Sequence, residues 1–174
     1  DQANAAINEA KASGSEVYAV QEYLVLEDSM RSTMESIEEQ KTKLFGKYTD
    51  LKNQLVGITA MATDVKLKTE TRKEELKQQI QSDLADVKEL IAANKQLISE
   101  APTGKEGTTA LLAISGELNA IEATIIKTSQ LIEKNDFLTS QNQINASKEK
   151  ALAFNTELQE VIYKYKDNTK TKKG

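Results

Sequence analysis

Apolar residues recur along this chain at spacings of three, four and seven residues, the spacing that places side chains on one face of an α-helix. The first series consists of Val17, Val20, Leu24, Met30, Met34, Ile37, Leu44, Tyr48, Leu51 and Leu55. A second, shorter series follows and consists of Leu76, Ile80, Leu84, Val87, Ile91 and Ile98. The pattern predicts a long helix over about 16–56 and a shorter helix within 57–107.

The C-terminal third carries two further series, separated by the polar stretch NDFLTSQNQINAS at 135–147. The first is nearly heptad-regular and consists of Leu111, Ile114, Leu118, Ile121, Ile125, Thr128 and Ile132. The second consists of Ala151, Phe154, Leu158, Val161 and Tyr165. Helical spacing continues through the polar stretch if Asn135, Leu138 and Asn145 share one face, and no Gly or Pro interrupts it. We therefore expect one continuous helix over about 108–166; a loop within 135–147 is the alternative.

Three positions are expected to be structural turns. Gly57 stands where the first apolar series ends, as a glycine just past a helix C-terminus does. The stretch SEAPTGKEG at 99–107 contains the only proline, Pro102, together with Gly104. Pro and Gly in one short stretch are strong helix breakers.

These elements predict an all-α fold in a single elongated domain over 1–174. The long helices at 16–56 and 108–166 would pair in an antiparallel three-helix bundle. A short Ala-rich helix at 3–12 would precede it, and 57–107 would supply the third, shorter helix and a smaller helical side lobe.

Composition narrows the chemistry. The chain has no His and no Cys, which excludes disulfides, zinc sites with those ligands and Ser–His–Asp catalysis. Acidic pairs such as Asp83 and Asp86 lie among lysines, as on a solvated helix face. We therefore expect no enzymatic activity, cofactor or metal. The net charge of −4 argues against nucleic-acid binding, and no apolar run approaches the ~20 residues of a stable membrane span.

The chain offers two candidate partner-binding regions. Phe137 and Leu138 are adjacent, so they cannot both face one narrow helix seam. One of them is expected to be exposed and, with Gln141, to contact a partner; a wide buried face is the alternative. Ile58 and Met61 belong to a small apolar cluster in a threonine-rich stretch and form the second candidate region.

Three segments in order resemble a known family. They are DQANAAINEAK at 1–11, LKNQLVGITAM at 51–61, and TTALLAISGELNAIEATIIKTSQLIEKNDFLTSQNQINASKEKALA at 108–153. Together they resemble minor pilus subunits of conjugative type IV secretion systems, the TraC family. In the last segment the resemblance is carried by Leu118, Ile121, Glu122, Ala123, Leu131, Leu138, Gln141 and Gln143. Ala60 and Met61 stand where family members often have a second glycine.

The resemblance implies a structural and adhesive subunit without enzymatic activity. It implies export with a removed signal peptide and a location in the periplasm and the extracellular pilus. The implied partners are the major pilin, other type IV secretion components and the recipient cell surface. Two alternatives are a helical secreted toxin component and a coiled-coil adaptor of another secretion system.

Overall fold

The computed structural model describes residues 1–43, 48–101 and 105–171. Every element in these ranges is a helix and none is a strand, which confirms the all-α class. The helices are α1 Gln2–Ala12, α2 Ser15–Tyr18, α3 Val20–Lys41, α4 Tyr48–Glu100, α5 Lys105–Glu133 and α6 Phe137–Thr171. The finer expectation, one elongated three-helix bundle with a side lobe, stays a prediction.

The chain divides into two compact units, Asp1–Glu75 and Leu76–Gly174. The first holds α1, α2, α3 and the first part of α4, whereas the second holds the rest of α4 with α5 and α6. The sequence predicted a single domain over 1–174.

The first unit is built around small residues that let its helices approach closely. Its core consists of Ala3, Ala10, Ala19, Tyr23, Leu26, Ile58, Ala62 and Val65. Gly14, with a φ of 93°, lies between α1 and α2. The hydroxyl of Ser15 is fully buried and lies 2.6 Å from the Ala10 carbonyl oxygen and 2.8 Å from the Thr69 hydroxyl. The reversal after α1 is thereby tied to α4.

The expected turn at Gly57 is wrong, because Gly57 lies inside α4. A side chain at this position would meet open space, so packing does not require a glycine there. The threonines that obscured the helical pattern bond back to carbonyls four residues earlier, as Thr59 does to Leu55 at 2.9 Å and Thr63 to Thr59 at 3.0 Å. Their hydroxyls are therefore satisfied without ending the helix.

The other two expected turns, Pro102 and Gly104, lie outside the described residues. The described part of α4 ends at Glu100, directly before that segment.

The expected continuous helix over 108–166 is also wrong, since α5 ends at Glu133 and α6 begins at Phe137. Asn135 adopts a left-handed conformation with a φ of 60°. The Asp136 N–H donates to the Leu131 carbonyl and the Asn135 N–H donates to the Ile132 carbonyl, each at 3.0 Å. This pair of bonds is a Schellman motif, in which a left-handed residue closes a helix. The loop alternative was the correct one, with three residues.

Asp136 also starts the next helix. Its Oδ1 accepts a hydrogen bond from the Thr139 N–H at 3.3 Å, and its carbonyl accepts from the Ser140 N–H at 3.1 Å. A side-chain acceptor at this position satisfies one of the free N–H groups of a helix start. Asn135 and Asp136 together therefore end one helix and begin the next without Gly or Pro.

Because of this reversal, α5 and α6 pack against each other in antiparallel orientation. Thr128 Oγ1 donates to Gln143 Oε1 at 2.8 Å, and Lys150 pairs with Glu117 further along both helices. The heptad from Leu111 to Thr128 is buried as the spacing predicted.

The break shifts the buried face of α6 from the expected one. Its buried residues are Phe137, Ser140, Ile144, Ser147, Ala151, Leu158 and Ile162. Asn145 and Val161, which the continuous series placed on the seam, are exposed.

The left-handed conformation of Asn135 generates a stability prediction. Asn135→Val should lower the free energy of unfolding by about 1–2 kcal/mol, because a β-branched side chain is strained at positive φ. Asn135→Gly should stay within about 0.5 kcal/mol of the unsubstituted protein, since Gly adopts this conformation freely. Urea unfolding followed by circular dichroism measures both values. Asn142→Val, at an exposed helical position of α6, is the matched control, and an equal loss in the two valine variants would contradict the prediction.

Candidate protein-contact surfaces

The first predicted contact region lies at the start of α6. Phe137 is 3% exposed and forms part of the core, whereas Leu138 is 42% exposed. The expectation that one residue of this pair is exposed is confirmed. Gln141 is half-buried one turn further on. Leu138 and Gln141 can therefore touch a partner directly, and Phe137 supports them from beneath; their partner-binding role stays a prediction.

The second predicted contact region lies in the first unit. Ile58 is a buried core residue, so it is not available to a partner. Met61 is half-buried and lines a shallow groove of about 370 Å³ together with Val25 and Val65. Of this pair, Met61 alone presents surface to solvent.

Charged residues at the rim of this groove pair with one another or with neighbouring helices. Arg72 donates to both carboxylate oxygens of Glu22, at 2.6 and 3.0 Å, and to the Tyr18 carbonyl at 3.2 Å. The hydrogen bonds that Glu22 accepts, from Arg72 first and then from a backbone N–H, lower its pKa to about 2. Lys68 pairs with Asp64 at 2.8 Å. The charged residues of the rim therefore hold α3 against α4. The apolar floor of the groove is the part that a partner could contact.

The second unit has a groove between α4 and α5 of about 480 Å³. Its floor is apolar and consists of Ile91, Ala92, Ile125 and Ile126. Lys95 and Glu122 pair at 2.7 Å across one side.

The outward face of α5 carries two strongly exposed aliphatic side chains. Leu112 is 68% exposed and Ile126 is 64% exposed. The two acids beside this face are each paired with a lysine of another helix, Glu117 with Lys150 and Glu122 with Lys95. The charges that remain near these side chains are those of Lys127 and of Lys88, which lines the groove beside Ile126.

This face has a second property that bears on function. Among the described helices, the segment Thr108–Glu133 of α5 is long and apolar enough to cross a membrane, judged by length and composition alone. The core helix of a soluble protein passes the same test. The expectation of no stable membrane span stays a prediction.

A buried polar ladder, which sequence reasoning missed, joins α4 to α6. The fully buried Asn94 donates through Nδ2 to the Ala151 carbonyl at 2.7 Å and accepts from Asn155 Nδ2 at 2.7 Å. Gln159 then donates to Asn155 Oδ1 at 2.9 Å. The available signal was Asn94 itself, which stands at helical spacing between Ile91 and Ile98 in the apolar series.

A charge cluster joins the same two helices. Lys148 Nζ donates to Asp83 Oδ1 at 2.8 Å and to Asp86 Oδ2 at 2.7 Å, and Gln79 donates to Asp83 at 3.0 Å. The two carboxylates raise the pKa of Lys148 to about 12. The hydrogen bonds from Lys148 and Gln79 lower the pKa of Asp83. Asp83 therefore stays ionised at neutral pH, which suits a structural ion pair and not a proton donor.

Comparison of the chain with protein-family models, curated proteins and solved structures finds no match. The resemblance to the TraC family therefore stays a hypothesis. Within the described residues, no group of three or more acidic side chains is arranged to hold a metal ion.

The hydrogen bonds of Asn94 predict that its substitution lowers the free energy of unfolding substantially. Asn94→Ala should lower the free energy of unfolding by about 1–3 kcal/mol, because Asn155 loses its acceptor inside the protein. Urea unfolding measures the loss. Asn53→Ala is the matched control, since Asn53 is an exposed residue of the same helix α4 and gains the same helix propensity. A loss in Asn94→Ala no greater than in the control would refute this role of the ladder.

The charge cluster predicts a pH dependence. The pKa of Asp83 is lowered on folding, so its stabilisation is present above its unfolded pKa of about 4 and is lost as the pH falls below it. The pKa of Lys148 is raised to about 12, so its stabilisation is present below about pH 10 and is lost as the pH rises through the folded value. The stability difference between the unsubstituted protein and Lys148→Met should therefore be constant at neutral pH and shrink at both extremes.

Urea midpoints measured from acid to alkaline pH test this prediction. Arg72→Met is the matched control, because it removes the partner of Glu22. Its stability difference should shrink at acid pH, between about pH 4.5 and the folded pKa of about 2. It should not shrink at alkaline pH, since no lysine is removed. A difference for Lys148→Met that does not change with pH would show that the cluster contributes nothing through its charges.

Proposed function

We propose that this chain is a non-enzymatic structural subunit that acts through protein–protein contacts made by its helix surfaces. The observation that carries this proposal is the exposed apolar face of α5. Exposed apolar side chains bordered by polar residues mark interaction sites in proteins. Here Leu112 and Ile126 are exposed on α5, and the acids beside them are paired with lysines of other helices. Leu138 and Met61 add smaller exposed or half-exposed apolar points on α6 and α4.

The polar interior supports the same proposal. Asn94, Lys148 and Arg72 use their hydrogen bonds to hold helices together. These groups serve the fold, and Leu112 and Ile126 on α5 are left exposed. Such a surface binds a partner by burying apolar area, and this binding requires no reactive or catalytic group at the contact.

The assembly we infer is the pilus of a conjugative type IV secretion system, on the resemblance to the TraC family. The chain would be a minor structural and adhesive subunit located in the periplasm and on the extracellular pilus. Its partners would be the major pilin, other components of the secretion system and the recipient cell surface. The proposed shape is an elongated antiparallel three-helix bundle with a side lobe.

One observation favours a second candidate, a helical secreted toxin component. The segment Thr108–Glu133 satisfies the length and composition of a membrane span. Release of a trapped dye from liposomes on addition of the purified protein would support this candidate over the pilus subunit. A coiled-coil adaptor of another secretion system has no such observation in its favour.

A plasmid-transfer assay with variants of the gene tests the pilus proposal. Deletion should abolish transfer and the unsubstituted gene should restore it. Leu138→Glu should lower transfer about tenfold or more, the effect of losing about 1.4 kcal/mol of binding free energy, because a charge would enter the contact. The purified variant should keep its helical circular dichroism, since Leu138 lies outside the core.

Leu152→Glu is the matched control, because Leu152 is 47% exposed on the same helix and lies outside the predicted contact region. It should restore transfer fully. Normal transfer by the deletion strain would overturn the proposal, and equal transfer by the two glutamate variants would overturn the role of Leu138.

A further inference from the structure

The break between α2 and α3 at Ala19 has no local cause in the sequence. The stretch from Ser15 to Lys41 contains neither Gly nor Pro, and its apolar spacing predicts a continuous helix. In the structure α2 ends at Tyr18 and α3 begins at Val20, and Ala19 between them has a φ of −137° and a ψ of 47°. These angles differ from the helical values of about −63° and −42°. The cause of the break therefore lies in the tertiary contacts of the first unit.

Arg72 of α4 makes the contact that bridges this break. Its Nη1 donates to the Tyr18 carbonyl oxygen at 3.2 Å and to Glu22 Oε2 at 3.0 Å, and its Nη2 donates to Glu22 Oε1 at 2.6 Å. One planar guanidinium thus binds the last residue of α2 and the first turn of α3. Two parallel hydrogen bonds to one carboxylate fix the geometry of such a pair. We call Arg72, Glu22 and the Tyr18 carbonyl the Arg72 clamp.

The Arg72 clamp occupies both groups of one helical hydrogen bond. In a continuous helix the N–H of Glu22 would donate to the carbonyl of Tyr18, four residues earlier. Here that carbonyl accepts from Arg72, and the Glu22 N–H donates to the carboxylate of Glu22 itself. The hydrogen bond that would join α2 to α3 is therefore replaced on both sides, and the break leaves neither group unsatisfied.

The break also separates three exposed aliphatic side chains. Val17 is 52% exposed, Val20 is 44% exposed and Leu24 is 49% exposed. Val17 belongs to α2, whereas the other two belong to α3. In one continuous helix, spacings of three and four residues would place all three on the same face. A joined helix would therefore carry an aliphatic stripe that the broken form divides.

The Arg72 clamp can open without unfolding the first unit. The side chains of Arg72 and Glu22 are 44% and 27% exposed, and ion pairs that water reaches contribute little to the stability of a fold. The anchor of this region is instead the fully buried Ser15 hydroxyl, which lies 2.8 Å from the Thr69 hydroxyl. That anchor and the burial of Ala19 favour the broken form together with the clamp.

We propose that the Arg72 clamp is a conformational switch: while it is closed α2 and α3 stay separate, and when it opens they join into one helix over 15–41 that aligns Val17, Val20 and Leu24. Glu22 also lines the groove that contains Met61. A carboxylate of a partner bound there would compete with Glu22 for the guanidinium, which binds carboxylates in this bidentate manner.

Nuclear magnetic resonance of the labelled protein tests the switch at Ala19. The three-bond coupling between its amide and α protons is large near a φ of −137° and small at the helical φ. In Arg72→Met the coupling should fall to the value of Ala6, which lies inside α1 and serves as the helical standard. Lys68→Met is the matched control, because Lys68 lies one turn earlier on α4 and pairs with Asp64. It should leave the coupling large.

Three results would overturn the proposal. The first is a large Ala19 coupling in Arg72→Met, equal to that in Lys68→Met. The second is a set of α-carbon shifts typical of disorder at both Val17 and Ala19, since α2 would then have unfolded without joining α3. The third is the result of a second variant, described next.

Glu22→Ala tests the same hydrogen bond with Arg72 in place, which keeps the test valid if Arg72→Met fails to fold. The substitution removes the carboxylate that accepts the N–H of residue 22. The Tyr18 carbonyl has two lone pairs and can accept from that N–H as well as from Arg72. The Ala19 coupling should therefore fall, and an unchanged coupling would overturn the proposal. These measurements use purified protein alone, so their failure leaves the transfer assay unaffected.

Discussion

Among the described residues, two in the left-handed conformation lie where one helix ends and the next begins. Gly14, with a φ of 93°, separates α1 from α2, and Asn135, with a φ of 60°, separates α5 from α6. Left-handed geometry turns the chain out of the helix and satisfies the last carbonyls. Without the reversal at Asn135, the apolar faces of α5 and α6 would lie end to end along one helix. With it, each face buries the other, and burial of each Leu or Ile is worth about 1.5–3 kcal/mol.

The interior contacts divide into two kinds with different consequences. Aliphatic residues supply the burial, whereas a few polar groups decide the register of the helices. Asn94 and Lys148 bind partners on α6 that are specific in position, so a helix that slid by one turn would leave them unsatisfied in a partly or fully buried place. An unsatisfied buried polar group costs more than the bond itself contributes. Asn94 and Lys148 thus bind partners within the protein, whereas aliphatic side chains remain on the surface of α5.

The sequence predicted the features that depend on regular spacing and missed those that depend on single residues. The heptad from Leu111 to Thr128 is buried as expected, because a long regular repeat has one helical interpretation. The spacing did not predict the interruption at Asn135, since asparagine is only a mildly unfavourable helix residue and the sequence does not show its left-handed conformation. That omission moved the expected α6 seam from Ile144 to Asn145. The turn expected at Gly57 was wrong because the threonines of this stretch interrupt the apolar spacing. Their hydroxyls are bonded within α4, and Ile58, Ala62 and Val65 form a buried face of this helix.

The candidate surfaces followed from the sequence only in part. Adjacency alone showed that Phe137 and Leu138 could not share one seam, and the structure resolves which of them is exposed. The exposed face of α5 could not be read from the sequence, because exposure of Leu112 and Ile126 depends on where α4 and α6 pack.

Quantitative mass spectrometry of purified conjugative pili tests the assignment of this chain to the pilus most directly. We expect the protein to co-purify with the pili in a small, constant ratio to the major pilin. Its absence from intact pili, with the protein recovered only elsewhere in the cell, would contradict that assignment.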